Sequence, residues 1–257
     1  MAREIILTGI PRAGTTLAAA IIDGLVDSVC LNEPSWHNPR AALDAQDFVK
    51  FVGDDFTKLR QVLSRGDAVL DRRAADCAAL TNYYECGMNG DMQENFTIAP
   101  FARLGLSADF TLAIKHNAAY LGVLPELIAQ KRFTIIAIIR HPLPVIRSWR
   151  RLQLPISRGD LPSGKPFWPE LRGLVDAPMD LLEKQVKLYE LMLARILKYE
   201  QHITVIDYDA LKKNPQLLAD TIGKKPLITP PLVSAKAEIA SEEDEQIIRL
   251  LHKPYLQ

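Results

Sequence analysis

The residues that most narrow what this chain can fold into stand near its start. Glu4-Ile5-Ile6-Leu7-Thr8 is an apolar run of strand length. It passes directly into Gly9-Ile10-Pro11-Arg12-Ala13-Gly14-Thr15-Thr16-Leu17. The pattern predicts a buried strand, a glycine loop and a helix from Thr15 to about Val26. Such a loop aims successive N–H groups at one point, and the helix N-terminus adds partial positive charge there. Gly14 permits close backbone approach, and Thr15 and Thr16 bring hydroxyls into the first turn. The plain alternative is a threonine-capped connection that holds no ligand.

The spacing is that of a nucleotide-binding G-x-x-x-x-G-K-[ST] loop with one departure. The Lys position holds Thr15, and the cation, Arg12, lies inside the loop. A kinase or ATPase needs that Lys on the β- and γ-phosphates. A small-molecule kinase of the same architecture is therefore the disfavoured rival.

The rest of the chain repeats the strand–helix alternation. Strands are expected at Ser28 to Leu31, Asp67 to Leu70, Phe110 to Ile114, Phe133 to Ile139 and Ile203 to Ile206. Helices are expected over Ala42 to Ser64, Leu121 to Gln130, Pro144 to Arg151 and Asp180 to Tyr199, and again after Asn214-Pro215. Leu182, Val186, Tyr189, Leu193 and Ile196 fall on one helical stripe. The β-branched run ending at Ile139 reads as a central parallel strand covered on both faces. Ala74 to Ala108 fits no single pattern, and Leu154 to Pro178, rich in Pro and Gly, reads as a long loop. The alternation implies an α/β fold with a parallel sheet flanked by helices. Without a Pro/Gly-rich linker between two cores, one domain over residues 1–257 is expected.

Composition narrows the function classes. Among 257 residues, Lys+Arg and Asp+Glu are both 31, so the formal net charge is zero, and no basic excess points to nucleic acid. Any anion site must come from local placement of Arg and N–H groups. The three cysteines, Cys30, Cys77 and Cys86, have neither disulfide-framework nor metal-ligand spacing. They fit a reducing, cytoplasmic setting. The apolar run at residues 5–7 is too short for a signal segment. Ile135 to Ile139 is far below the ~20 residues of a membrane span.

A second segment, Ile138-Ile139-Arg140-His141-Pro142-Leu143-Pro144-Val145-Ile146-Arg147-Ser148-Trp149, puts Arg140 just past a buried strand. It should emerge at the carboxyl edge of the sheet, where open α/β sheets bind ligands. Ser148, in the next helix, adds a hydroxyl. A permanently charged forked donor with a hydroxyl suits a second phosphate. Taken alone, these two could equally be a surface Arg and a solvated Ser.

With these two segments and Asp207-Tyr208-Asp209-Ala210-Leu211-Lys212-Lys213-Asn214-Pro215, the chain resembles the sulfotransferases that use 3′-phosphoadenosine 5′-phosphosulfate. The third segment is similar to that family's Y-E-x-L-x-x-x-P stretch, with Asp209 for Glu. The Arg-containing loop is similar to bacterial and carbohydrate-type members. The resemblance implies a P-loop-like three-layer domain and a sulfuryl transfer to a hydroxyl or amine. It implies that Arg12, Ala13, Gly14, Thr15 and Thr16 hold the 5′-phosphosulfate, that Arg140 and Ser148 hold the 3′-phosphate, and that Tyr208 contacts the adenine. Arg12 would also meet the charge that builds on the departing phosphate. The family's C-terminal Arg-Lys-Gly loop has no clear counterpart; Gly223-Lys224-Lys225 is basic but differs in sequence.

A general base must take the acceptor's proton. Glu33, after the second strand, is favoured, since some protein-tyrosine and bacterial carbohydrate members carry a catalytic Glu at a similar place. His116 competes. It is shifted by one residue from the family's Lys-x-His pattern, and on an extended chain that shift turns a side chain to the other face. Lys115 keeps the family position and is expected at the sulfuryl oxygens. His37 is a third choice. Trp36, Tyr83, Tyr84, Phe167 and Trp168 are candidate walls for a small-molecule acceptor, although loop aromatics often serve local packing. A homologue that binds the donor without transfer is the other rival.

Overall fold

The computed structural model describes residues 3–37, 43–87, 92–228, 230 and 241–251. In chain order the first elements are β1 (Glu4–Gly9), α1 (Thr15–Asp23), β2 (Ser28–Asn32), α2 (Ala45–Ser64), β3 (Val69–Arg73), β4 (Tyr84–Cys86), β5 (Met92–Glu94) and β6 (Thr97–Phe101). Next come β7 (Thr111–Lys115), α3 (Asn117–Gly122), α4 (Leu124–Ala129), β8 (Thr134–Ile139), α5 (Pro142–Arg150) and α6 (Pro169–Asp176). The chain continues with α7 (Leu181–Lys198), β9 (Thr204–Asp207), α8 (Tyr208–Lys213), α9 (Gln216–Ile222) and α10 (Glu242–Leu250).

Five strands form a parallel sheet in the order β2-β7-β1-β8-β9. Side-chain alternation divides its apolar residues between two layers. Ile5, Leu7, Cys30, Ala113, Ile136 and Ile138 pack with α1, α8 and α9. Ile6, Val29, Leu31, Leu112, Ile114 and Ile135 pack with α2, α4, α5 and α7. The expected three-layer α/β arrangement is therefore present. All five residues of the α7 stripe are buried, and Asp180 caps that helix by accepting from the N–H groups of Leu182 and Glu183. Among the described residues, no helix is long and apolar enough to cross a membrane.

Four expectations need correction. Helix α1 stops at Asp23, where Gly24 caps it, not at Val26. The third strand runs over Val69–Arg73 and stays out of the main sheet; it pairs antiparallel with β6 as a separate ribbon. The helix expected over Leu121 to Gln130 starts earlier and breaks at Val123 into α3 and α4. Leu154 to Pro178 contains a 3₁₀ turn at Pro155–Arg158 and helix α6, for which Pro169 supplies a favourable first residue.

The ribbon is joined to the sheet by buried charge. Asp71 and Arg73 alternate inward from β3, and Arg73 is 1% exposed. Its guanidinium donates to Asp71 Oδ2 at 2.7 Å and to Asp23 Oδ2 at 2.7 Å, at the end of α1. Phe101 of β6 lies beneath it, 3.7 Å from guanidinium carbon to ring centroid. The two carboxylates also take main-chain donors of β2: Asn32 N–H to Asp71 Oδ1 at 2.7 Å and Cys30 N–H to Asp23 Oδ1 at 3.0 Å. Arg103 adds a second cation to Asp23 at 2.8 Å.

Removing one member of such a cluster leaves buried charge uncompensated. Arg73→Met is expected to lower unfolding free energy by about 3–5 kcal/mol in urea denaturation. Arg249→Met, which breaks the exposed Arg249–Glu245 pair on α10, should change it by less than about 0.5 kcal/mol.

Candidate functional site

The carboxyl ends of β1, β2, β7 and β8 open into a cavity of 610 Å³, within the range of small-ligand sites. Its floor is the loop after β1. Gly9 has φ 144°, and a Cβ there would meet Ile138 O at 2.3 Å, so this turn requires glycine. Gly14 has φ 99°, and a Cβ on it would lie 2.1 Å from the Tyr208 ring. The Tyr208 ring thus seats directly on Gly14. Ala13 turns its N–H to Ile10 O at 2.9 Å. That donor is committed within the loop, contrary to the expectation that it serves a phosphate. The first-turn N–H groups of Thr15 and Thr16 have no intrahelical acceptor.

Arg12 has φ 69°. Its Nε donates to Ser148 Oγ at 3.0 Å and its Nη2 to Asn82 Oδ1 at 3.0 Å, with the guanidinium 5.0 Å from the Tyr84 ring centroid. The two expected phosphate segments therefore touch through Arg12 and Ser148. Arg140, past the end of β8, stacks on Tyr208 at 4.3 Å, and its buried Nε has no hydrogen-bond partner among the described residues. Burial holds Arg12 below its ordinary value, and nearby Arg140 adds to that effect. Among the described residues neither arginine has a carboxylate partner within ion-pair distance. Two guanidiniums without a carboxylate partner on one glycine-lined floor concentrate positive charge there, an arrangement chemically suited to an anion.

Glu33 stands at another wall of the cavity. Its φ is 46°, and its N–H is held by Lys115 O at 2.8 Å. Oε1 accepts from Lys115 Nζ at 2.8 Å, and Oε2 accepts from Arg72 Nη1 at 2.8 Å. Burial raises the carboxyl's pKa, but Lys115, His116 and Arg72 outweigh it and bring it down to about 2. Burial presses Lys115 below its ordinary value, and Glu33 opposes that shift. Lys115 Nζ also lies 3.4 Å from Thr16 Oγ1 and 4.5 Å from the Tyr83 ring centroid.

His116 lines the same cavity. The one-residue shift does not turn it away, because β7 ends at Lys115 and His116 is already the residue before α3. Burial lowers its pKa to about 4, although Glu33 pulls the other way.

Other expectations fail. His37 is fully buried, its Nδ1 2.7 Å from Tyr120 Oη and its Nε2 2.6 Å from Asp55 Oδ2. Asp55 Oδ2 also accepts from Trp36 Nε1 at 2.8 Å. These two rings brace the chain after Glu33 and do not line the cavity. Phe167 stacks on Phe48 and Trp168 lies under Arg195, both away from the site. Tyr83 and Tyr84 do line it. Lys224 pairs with Asp27 at 3.5 Å, and Lys225 O accepts from Val26 N–H, so the Gly223-Lys224-Lys225 segment lies by the start of β2.

Sequence reasoning missed Arg72, Asn82 and Lys212, as well as the apolar wall of Leu154, Pro155, Ile156 and Leu161. Lys212 sits inside a segment already singled out. Arg72 carried a weaker signal, as the outward member of an otherwise inward Asp71–Arg73 pair. Among the described residues no group of His, Cys, Asp or Glu has the arrangement to hold a metal ion.

Among solved structures, the chain is similar to a sulfotransferase from Alicyclobacillus acidocaldarius, with a TM-score of 0.49 and 12% identity over 99% of this chain and 93% of that one. It is also similar to sulfotransferase STF1 from Mycobacterium tuberculosis H37Rv, with a TM-score of 0.38 and 11% identity over 97% of this chain and 71% of that one. No protein-family model and no curated protein matches the sequence.

The titrations set a direction for acid stability. A His whose folded pKa is lowered binds fewer protons folded than unfolded between the two values, so stability falls as pH drops through that window. For His116 the window runs from 6.5 to about 4. For Glu33 it runs from 4.5 to about 2, with the same sign. Urea midpoints measured from pH 7 to 4 should fall more steeply for wild type than for His116→Asn. Parallel curves would mean that His116 does not contribute.

Proposed function

We propose that the protein transfers a sulfuryl group from 3′-phosphoadenosine 5′-phosphosulfate to a hydroxyl or amine of a small-molecule acceptor. The observation that carries this reading is the pair of guanidiniums, Arg12 and Arg140, facing one cavity with no carboxylate partner among the described residues. The donor, when bound, supplies an electrophilic sulfuryl group on a phosphate leaving group. The residues present suit a ligand with two separate anionic ends. The first-turn N–H groups of Thr15 and Thr16, their hydroxyls and Arg12 would hold one end and Arg140 the other; Ser148, which accepts from Arg12 Nε and lies outside the cavity lining, would orient Arg12. Gly14 allows close backbone approach, and Tyr208, packed against Gly14 and Arg140, would contact the adenine at the edge of the ring that they leave open. Thr15 at the Lys position disfavours a kinase.

The remaining residues handle the proton and the developing charge. Arg12 faces charge on the leaving oxygen, and a preorganised donor of this kind is typically worth ~3–4 kcal/mol. Lys115, buried and within reach of both Thr16 and Glu33, suits the sulfuryl oxygens. Glu33 is ionised throughout the neutral range, as a proton acceptor must be. Its basicity is held down by Lys115 and Arg72, so it rises as either cation turns toward substrate oxygens. His116 is neutral at pH 7 and is the competing base.

Calorimetry with adenosine 3′,5′-bisphosphate and with ADP tests the donor site. The bisphosphate should bind more tightly, and equal affinities would remove the assignment of Arg140. Glu33→Gln should retain bisphosphate binding and slow single-turnover sulfuryl transfer by roughly 10²–10⁴-fold. His116→Asn should cost less. A fast Glu33→Gln beside a dead His116→Asn would make the histidine the base.

A further inference from the structure

We infer that Lys212 is a second cation for the 3′-phosphate and selects a 3′,5′-bisphosphorylated nucleotide over one phosphorylated at the 5′ position alone. The inference rests on the donor reading above. A dianionic phosphate held by one guanidinium is half-compensated, and the basic segment Gly223-Lys224-Lys225 is engaged elsewhere, with Lys224 on Asp27. Among the described residues, the cavity lining itself offers another cation.

Helix α8 provides it. Tyr208 and Lys212 stand four residues apart, so they share one face of the helix. The Tyr208 ring fixes which face that is, since it seats on Gly14 and stacks on Arg140. Lys212 accordingly lines the cavity and is half-buried, whereas Lys213 is exposed and lies outside the cavity lining. Neither nearby carboxylate neutralises Lys212: Asp209, three residues before it on α8, makes no ion pair with it, and Asp207 Oδ1 caps α8 by accepting from the N–H groups of Asp209 and Ala210 at 2.9 and 3.0 Å. Lys212 has no ion-pair partner among the described residues. Other cations at the site differ, with Arg72 and Lys115 both on Glu33. Arg140 and Lys212 thus converge on the Tyr208 side of the cavity with no anion from the protein to neutralise them. A fork and a point charge make complementary phosphate partners.

The test is calorimetry on the full chain with adenosine 3′,5′-bisphosphate and AMP, in wild type, Lys212→Gln and Lys213→Gln. Lys212→Gln is expected to weaken the bisphosphate by about tenfold or more while AMP changes less than about twofold, as the loss of one charge-assisted contact to one phosphate requires. Lys213→Gln should match wild type, and the bisphosphate affinity of Lys212→Gln should fall less steeply with salt. If wild type prefers the bisphosphate and Lys212→Gln keeps that preference, the inference is wrong and the donor reading stands. If Lys212→Gln weakens both nucleotides equally, Lys212 serves the common 5′ end and the inference is also wrong. If wild type binds the two nucleotides equally, the donor reading itself falls.

Discussion

Arg73 is a full positive charge held almost entirely out of water, and the arrangement of the site depends on its being matched. Desolvating a guanidinium costs several kcal/mol, and attraction to neighbours offsets that only where the geometry is good and the remaining donors are satisfied. Here two carboxylates from different parts of the chain close on it, and each is itself fixed by a main-chain N–H of β2. The ribbon of β3 and β6 therefore has one permitted seat on the sheet. That seat decides where Arg72 goes. With Asp71 and Arg73 directed inward, the residue between them projects the other way, onto Glu33. A structural ion cluster and the candidate base are neighbours because strand side chains alternate.

The cavity sorts its cations into two kinds. Near Glu33, Lys115 and Arg72 are each compensated by a carboxylate oxygen. Near the glycine loop, Arg12 and Arg140 are matched by hydroxyl, amide and aromatic groups that carry no full charge. Compensated charge is stable on its own. Uncompensated charge in a partly dry cleft raises the local potential and draws anions in. The neutral net charge of the chain makes this contrast local, and nothing in the composition reveals it.

Much of the frame is legible in the sequence because periodicity and glycine placement carry direct physical consequences. The run ending at Ile139 reads as a strand buried on both faces, and its residues do divide between the two apolar layers. The Leu182-to-Ile196 stripe is equally direct. The glycine loop is legible for the same kind of reason, since Gly9 and Gly14 occupy backbone conformations or contacts that a side chain would obstruct. Less legible are contacts made across long sequence separation. No local pattern tells that Asn82 accepts from Arg12, 70 residues away, or that Asp55 recruits both Trp36 and His37 into packing. The Leu154 to Pro178 stretch misleads because prolines read as breakers, although at Pro155 and Pro169 they open short helices. Helix α10 carries a capping signal in Ser241 and Asp244, but its apolar stripe is too thin to mark a helix by periodicity.

The contact between Arg12 and Asn82 carries a thermodynamic consequence for the segment around Tyr84. Arg12 commits Nε to Ser148 and one Nη2 hydrogen to Asn82, so the wall fixes the plane in which its three remaining N–H donors can face an anion on the floor. The wall's position and the floor's occupancy are therefore coupled equilibria. An anion that draws the guanidinium out of that plane loosens residues 82–84, and anything that pulls those residues away leaves Arg12 readier for an anion. By linkage the two effects are equal in free energy, so whatever binds against the wall changes affinity at the floor by the same factor as the floor changes affinity at the wall.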